Sequence, residues 1–200
     1  LFELKHQSDL QQSQAALLQE QLNFPVHFKA LRDPKGQEQA LLVVGMGAMQ
    51  ASDLAQGSLM LTRQGQETVQ LQGVLASPCF VETADLDLDK DLDIILCSFG
   101  LHGPGDLSLL RNESQPQGQQ NWSAEGFTKL DFDPRDGFIK SMRCDLNQDG
   151  LPDFLCLLSQ QHEQIVYYIN RGNFEFQKTL LWRAPHPAWG FSAMELADID

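Results

Sequence analysis

Short apolar runs, each four to seven residues long and bounded by Gly, Pro, Asn or Asp, recur along most of this chain. ALLVVGM (40–46), GSLMLTR (57–63), DIILCS (93–98), LSLLRN (107–112), DFLCLL (153–158) and IVYYIN (165–170) are the clearest. Runs of this length, rich in β-branched and aromatic residues between turn formers, predict strands rather than helices. The first 25 residues differ. Ser8 followed by Gln11 has the spacing of a capping box, and Leu10, Leu17, Leu18 and Leu22 share one helical face ahead of Pro25. A helix, or else a polar connecting segment, is expected there.

The strands belong to a repeat. ADLDLDKDLDIIL begins at Ala84, CDLNQDGLPDFLC at Cys144 and ADID at Ala197, and the first aspartates, Asp85, Asp145 and Asp198, are 60 and 53 residues apart. After the acidic loop both longer copies continue with a strand ending in Asn, then with EGFTKLDF (125–132) or FEFQKTLL (174–181). Each unit therefore reads as strand, acidic loop, strand, polar loop, strand, turn, strand. Four antiparallel strands repeating at this interval predict an all-β chain of β-propeller blades. A degenerate blade is expected over about 26–76, with ETVQLQGVL (67–75) as its outer strand and LRDPKGQEQ as its eroded loop. Two full blades follow, over about 77–136 and 137–190, and the start of a further one over 191–200. Too few units are present to close a propeller, and the last motif stops at Asp200, so the chain is expected to be a fragment whose partner includes the remainder of its own propeller.

Composition narrows the choices. Fourteen basic against 27 acidic residues give a net charge of −13, which disfavours a nucleic-acid partner. No apolar run approaches the roughly 18–20 residues needed to span a bilayer, and the stretch after Leu1 is not expected to be a leader, since it lacks a basic start followed by an apolar core. The four cysteines form neither CxxC nor CxxCH, and Cys97 and Cys156 lie inside apolar runs, so unpaired core thiols are expected.

Ten of the 27 acidic residues fall in the three loops. Such crowding is unfavourable unless a cation or much water screens it. The second loop reads D-x-N-x-D-G-x-x-D through Asp145, Asn147, Asp149, Gly150 and Asp153, with the carbonyl of Leu151 as a further donor. Hard oxygens on a flexible loop that turns at a glycine suit Ca²⁺. The first loop supplies Asp85, Asp87, Asp89, Asp91 and Asp93, but Lys90 replaces the glycine, which implies a left-handed turn at a side-chain-bearing residue. Asp198 and Asp200 open the third loop. An EF-hand is excluded, because its twelfth position is Leu96 or Cys156 rather than Glu. An acidic, solvated hairpin without metal is the plainer alternative.

These units resemble the FG-GAP/VCBS repeat family, whose blades carry a D-x-D-x-D-G-x-x-D calcium loop between their first two strands, as integrin α-subunit propellers do. The likeness covers about residues 26–200 and is strongest over 81–200. The Gly-Ala-Pro that follows the integrin loop is absent, with Cys97-Ser98-Phe99 in its place, and long bacterial VCBS-repeat proteins are the closer likeness. In that group a c-type cytochrome domain can precede the propeller. The resemblance implies a calcium-binding, extracytoplasmic (periplasmic, secreted or cell-surface) propeller of seven or so blades that serves as a binding or scaffold module.

Strand order places the acidic loops at one end of the blades and the connections carrying His102, His162, His186 and Trp189 at the other. His102 and His162 occupy the same phase of the repeat, and Trp189 beside Pro187 has the character of a stacking platform for a protein or polysaccharide partner. Each also has a structural reading, as a loop former or a lid over the blade core. No HExxH, GxSxG or Gly-rich phosphate loop is present, so no catalytic residue is assigned. A propeller within a larger redox or hydrolytic enzyme, with its active groups on the His/Trp face or in another domain, is the alternative. Asn112 and Asn121 begin N-x-S sequons.

Overall fold

The computed structural model describes residues 2–4, 15–17, 24–32, 35–47, 56–63, 65–100, 104–113, 122–160 and 162–197. Among them the chain is all-β apart from a 3-10 turn at Ala124–Gly126. A short ladder pairs β1 (Phe2–Leu4) with β2 (Ala15–Leu17). Leu17, one of the residues on which the expected helix rests, lies in β2. Ser8, Leu10, Gln11, Leu18 and Leu22 lie outside the described residues.

Three four-stranded antiparallel sheets follow, each a meander of consecutive strands. The first contains β3 (Pro25–Arg32), β4 (Glu38–Gly45), β5 (Gly57–Thr62) and β6 (Val69–Leu75). The second contains β7 (Pro78–Ala84), β8 (Asp93–Ser98), β9 (Asp106–Asn112) and β10 (Phe127–Asp133). The third contains β11 (Phe138–Cys144), β12 (Asp153–Leu158), β13 (Gln164–Asn170) and β14 (Phe176–Arg183). The repetition extends to an irregularity. Each first strand shifts register near its start, at Pro25/His27, Pro78/Phe80 and Phe138/Lys140.

The sheets stack face to face. Every residue of β8 and β12 is buried, which is why these strands read as unbroken apolar runs. Side chains alternate between faces, so β8 serves two cores at once. Ile94 and Leu96 pack with Leu42, Val44 and Leu59 of the first sheet, while Ile95 and Cys97 pack with Phe138, Phe154 and Tyr168 of the third. Leu155, Leu157 and Tyr167 form a third cluster with Met194. The first strands gather on one side, with β7 touching both β3 and β11. All four cysteines are free, and Cys97 and Cys156 are fully buried, as their sequence context suggested.

One polar network joins the second sheet to the third. Asp133, at the end of β10, accepts hydrogen bonds from Arg135 Nε and Nη2 at 2.9 Å, Tyr168 Oη at 2.8 Å and Lys178 Nζ at 2.8 Å. Arg135 also donates to Gln164 Oε1 at 2.9 Å and lies over the Phe138 ring. Burial is the largest single influence on the Asp133 carboxyl and pushes its pKa up. The combined hydrogen bonds from Arg135, Lys178 and Tyr168 outweigh it and hold the group well below the usual carboxylate range. A depressed folded-state pKa means that the unfolded chain binds the proton more readily. The stabilisation is therefore complete above the unfolded value of about 4 and is lost as the pH falls through the folded value.

Two outcomes are expected. Asp133→Asn costs about 2–4 kcal/mol at neutral pH, because it leaves Arg135 and Lys178 facing a neutral group, and it flattens the acid limb of the stability profile. Urea unfolding at pH 7 and pH 3 measures both effects. Phe154→Ala, at the centre of the second core, costs about 3–5 kcal/mol in the same assay.

Candidate metal centre

Two acidic loops join the first and second strands of their sheets, Asp85–Asp93 in the second and Asp145–Asp153 in the third. Their backbones follow one path. The fourth position has positive φ in both, 63° at Leu88 and 58° at Gln148, and so does the sixth, 80° at Lys90 and 83° at Gly150. The sixth amide donates to the first aspartate, Lys90 N to Asp85 Oδ2 at 3.0 Å and Gly150 N to Asp145 Oδ2 at 3.1 Å. The seventh donates to the fifth, Asp91 N to Asp89 Oδ1 at 3.1 Å and Leu151 N to Asp149 Oδ1 at 2.9 Å. Lysine thus adopts the left-handed turn that glycine adopts in the other copy.

The first loop brings Asp85, Asp87 and Asp89 together, each offering an oxygen within 4.8 Å of the others. Asp85 Oδ1 and Asp87 Oδ1 are buried and have no hydrogen-bond partner. Burial raises both carboxyl pKa values, and the neighbouring Asp89 charge adds to the rise. Arg111 offsets part of it, with Nη2 3.1 Å from Asp87 Oδ2. Three hard-oxygen donors, two of them carrying an unsatisfied buried oxygen, are a set that a Ca²⁺ ion fits. Asp91, at the seventh position of this loop, is fully buried.

In the second loop Asn147 stands in the place of Asp87. Its Nδ2 donates to Asp149 Oδ2 at 2.8 Å, and its Oδ1 accepts from Asp149 N at 3.2 Å. Asp145, Asn147 and Asp149 are exposed, whereas the three first-loop aspartates are half-buried. Leu151 is half-buried at the seventh position. Asp198 and Asp200 lie outside the described residues.

The ninth position behaves differently from the rest. Asp93 is fully buried, and it accepts from Leu86 N at 2.8 Å and from Asn112 N at 2.9 Å. Asp153 is equally buried, and it accepts from Asn170 N at 2.7 Å and from the Tyr167 hydroxyl. Burial pushes the Asp93 carboxyl up to about 8, against the two amide hydrogen bonds that lower it. These aspartates tie their loop to the end of the third strand. Their partners, Asn112 and Asn170, were not singled out as site residues from sequence. The available signal was that β9 and β13 both end in Asn, in one phase of the repeat. Asn170 reaches further, donating from Nδ2 to Pro152 O in its own loop at 3.1 Å and to Leu86 O in the neighbouring loop at 2.8 Å. Asn112 is 1% exposed, so its sequon cannot carry a glycan in the folded chain. Asn121 lies outside the described residues.

At the opposite end, His162 Nδ1 lies 2.9 Å from Ala184 O and is partly buried. His186 is exposed and accepts from Ala188 N at 3.0 Å. Trp189 is 50% exposed, yet it packs with Trp182 and Phe191 at the edge of the third sheet. The structure thus gives His162 a backbone contact and Trp189 an aromatic cluster. His102 lies outside the described residues.

The sixth-position turn generates a paired prediction. Lys90→Gly relieves a strained φ and raises stability by up to about 1 kcal/mol, net of glycine's entropy cost. Gly150→Ala lowers it by about 1–2 kcal/mol through the backbone alone, since nothing lies within 4 Å of an added Cβ. Thermal unfolding of the two variants reads the opposite signs.

No curated protein matches the chain, and no solved structure does. Residues 145–200 match the family model for FG-GAP-like repeats, and the match begins at Asp145, the first residue of the second acidic loop. Over those residues the chain is similar to FG-GAP-like repeats, consistent with the FG-GAP/VCBS resemblance.

Proposed function

We propose that this chain is a segment of a calcium-stabilised β-propeller, a noncatalytic module that presents a surface to a protein or glycan partner outside the cytoplasm. Three stacked four-stranded meanders whose first strands gather on one side support the propeller reading. The FG-GAP-like match supports the extracytoplasmic setting. Among the described residues no helix is long and apolar enough to cross a membrane.

The observation that carries the calcium reading is the convergence of Asp85, Asp87 and Asp89, two of them with an orphaned buried oxygen, on a backbone path that the second loop repeats. Asp85, Asp87, Asp89 and Asp93 would hold an ion in the first loop. Asp145, Asn147, Asp149, Asp153 and the Leu151 carbonyl would do so in the second, with Asp198 and Asp200 opening a third. A bound ion supplies the positive charge that these carboxylates otherwise lack, so metal binding and folding are linked. With the loops occupied in this way, the opposite end of the blades, where His162, His186 and Trp189 lie, is the surface left for a partner.

Calorimetric titration of the full chain with Ca²⁺, together with thermal melts, tests this. Saturable binding is expected, with a stabilisation of about 2.7 kcal/mol at a hundredfold excess over Kd. Asp89→Ala and Asp149→Ala each remove one site's share of both signals. Absence of heat and of any melting shift at millimolar Ca²⁺ would show the loops to be solvated hairpins.

A further inference from the structure

The strands β3, β7 and β11 are edge strands of their sheets, and together they border a groove of about 560 Å³, within the size range of small-molecule sites. Its charge runs against that of the molecule. In a chain of net charge −13, the groove is lined by Lys29, Arg32, Lys140 and Arg143 and by a single acid, Glu82. Glu82 forms an ion pair with Lys29. The other three cations are weakly committed. Arg32 donates to Gly36 O at 3.2 Å, Lys140 is 4.0 Å from the exposed Glu195, and Arg143 has no ion-pair partner among the described residues.

A second observation is independent of charge. Ser141, on β11, lines the same groove and is 0% exposed, and its Oγ has no hydrogen-bond partner. A buried hydroxyl is seldom left unsatisfied, because nothing then offsets its lost hydration. A donor of this kind in a groove lined by cations is an arrangement that can receive an oxyanion.

We propose that this groove binds a small oxyanion carrying two or more negative charges, held by Arg32, Lys140 and Arg143 with Ser141 Oγ donating to it. The groove volume sets the size. Arg143 also borders Asp85 and Asp145 at one end, so a long polyanion meets the acidic loops there, whereas a compact one does not.

The full chain, saturated with Ca²⁺ and freed of excess metal, is titrated calorimetrically with sulfate and separately with succinate, with chloride holding ionic strength constant. Saturable binding of either probe is expected; preference for sulfate identifies a tetrahedral oxyanion site and preference for succinate a dicarboxylate site. Arg32→Gln combined with Lys140→Gln weakens binding about tenfold or more, and Ser141→Ala weakens it several-fold. Glu82→Gln releases Lys29 from its ion pair and tightens binding several-fold, a gain that misfolding cannot imitate. The proposal is overturned if neither probe gives saturable heat, if chloride competes equally well, or if Glu82→Gln leaves affinity unchanged.

Discussion

A buried carboxylate at the ninth position of each acidic loop is the constraint on which the arrangement rests. Asp93 and Asp153 are removed from water, and each has both oxygens committed to hydrogen-bond donors. Burying a carboxylate is costly, and only well-placed donors offset the lost hydration. The amides of Asn112 and Asn170 supply part of that compensation, so the end of the third strand fixes where the loop rejoins the second. Between its anchored ends the loop can curl only a few ways, and both copies take the same one, with left-handed turns at the fourth and sixth positions.

That curl forces like charges together. Asp85, Asp87 and Asp89 converge because alternate side chains of a coiled loop point inward, and the hydrogen bonds from Lys90 N and Asp91 N hold the outer two members in place. Arg111 and the loop amides balance part of the repulsion, and Asp85 Oδ1 and Asp87 Oδ1 remain unmatched. The same chain therefore separates its charges, with carboxylates collected in the loops and Lys29, Arg32, Lys140 and Arg143 collected along the edge strands. Asn170 bonds to the backbone of both loops, so one side chain ties the second sheet to the third at their acidic ends.

The strands were legible because their periodicity is local. DIILCS and DFLCLL show that both faces are covered, and the repeated acidic loop sets their order within each sheet. The left-handed turn at Lys90 followed from alignment with Gly150 alone. What sequence did not show depends on distance. Asp133, Tyr168 and Lys178 meet across two sheets, and no spacing in the chain announces it. The difference in burial between the first-loop carboxylates and those of the second arises from packing around each loop, not from its letters. The opening segment was less legible for another reason. A capping spacing and four leucines are weak signals where no tertiary partner can be inferred.

Residue-resolved hydrogen exchange with and without Ca²⁺ tests the account most directly. If buried aspartates anchor loops that are completed by metal, the Asn112 and Asn170 amides are among the slowest in both states. The amides of Lys90, Asp149 and Gly150 then slow by about tenfold or more when Ca²⁺ is added. Asn112 and Asn170 amides that exchange as fast as the loop tips, or loop amides indifferent to Ca²⁺, would contradict it.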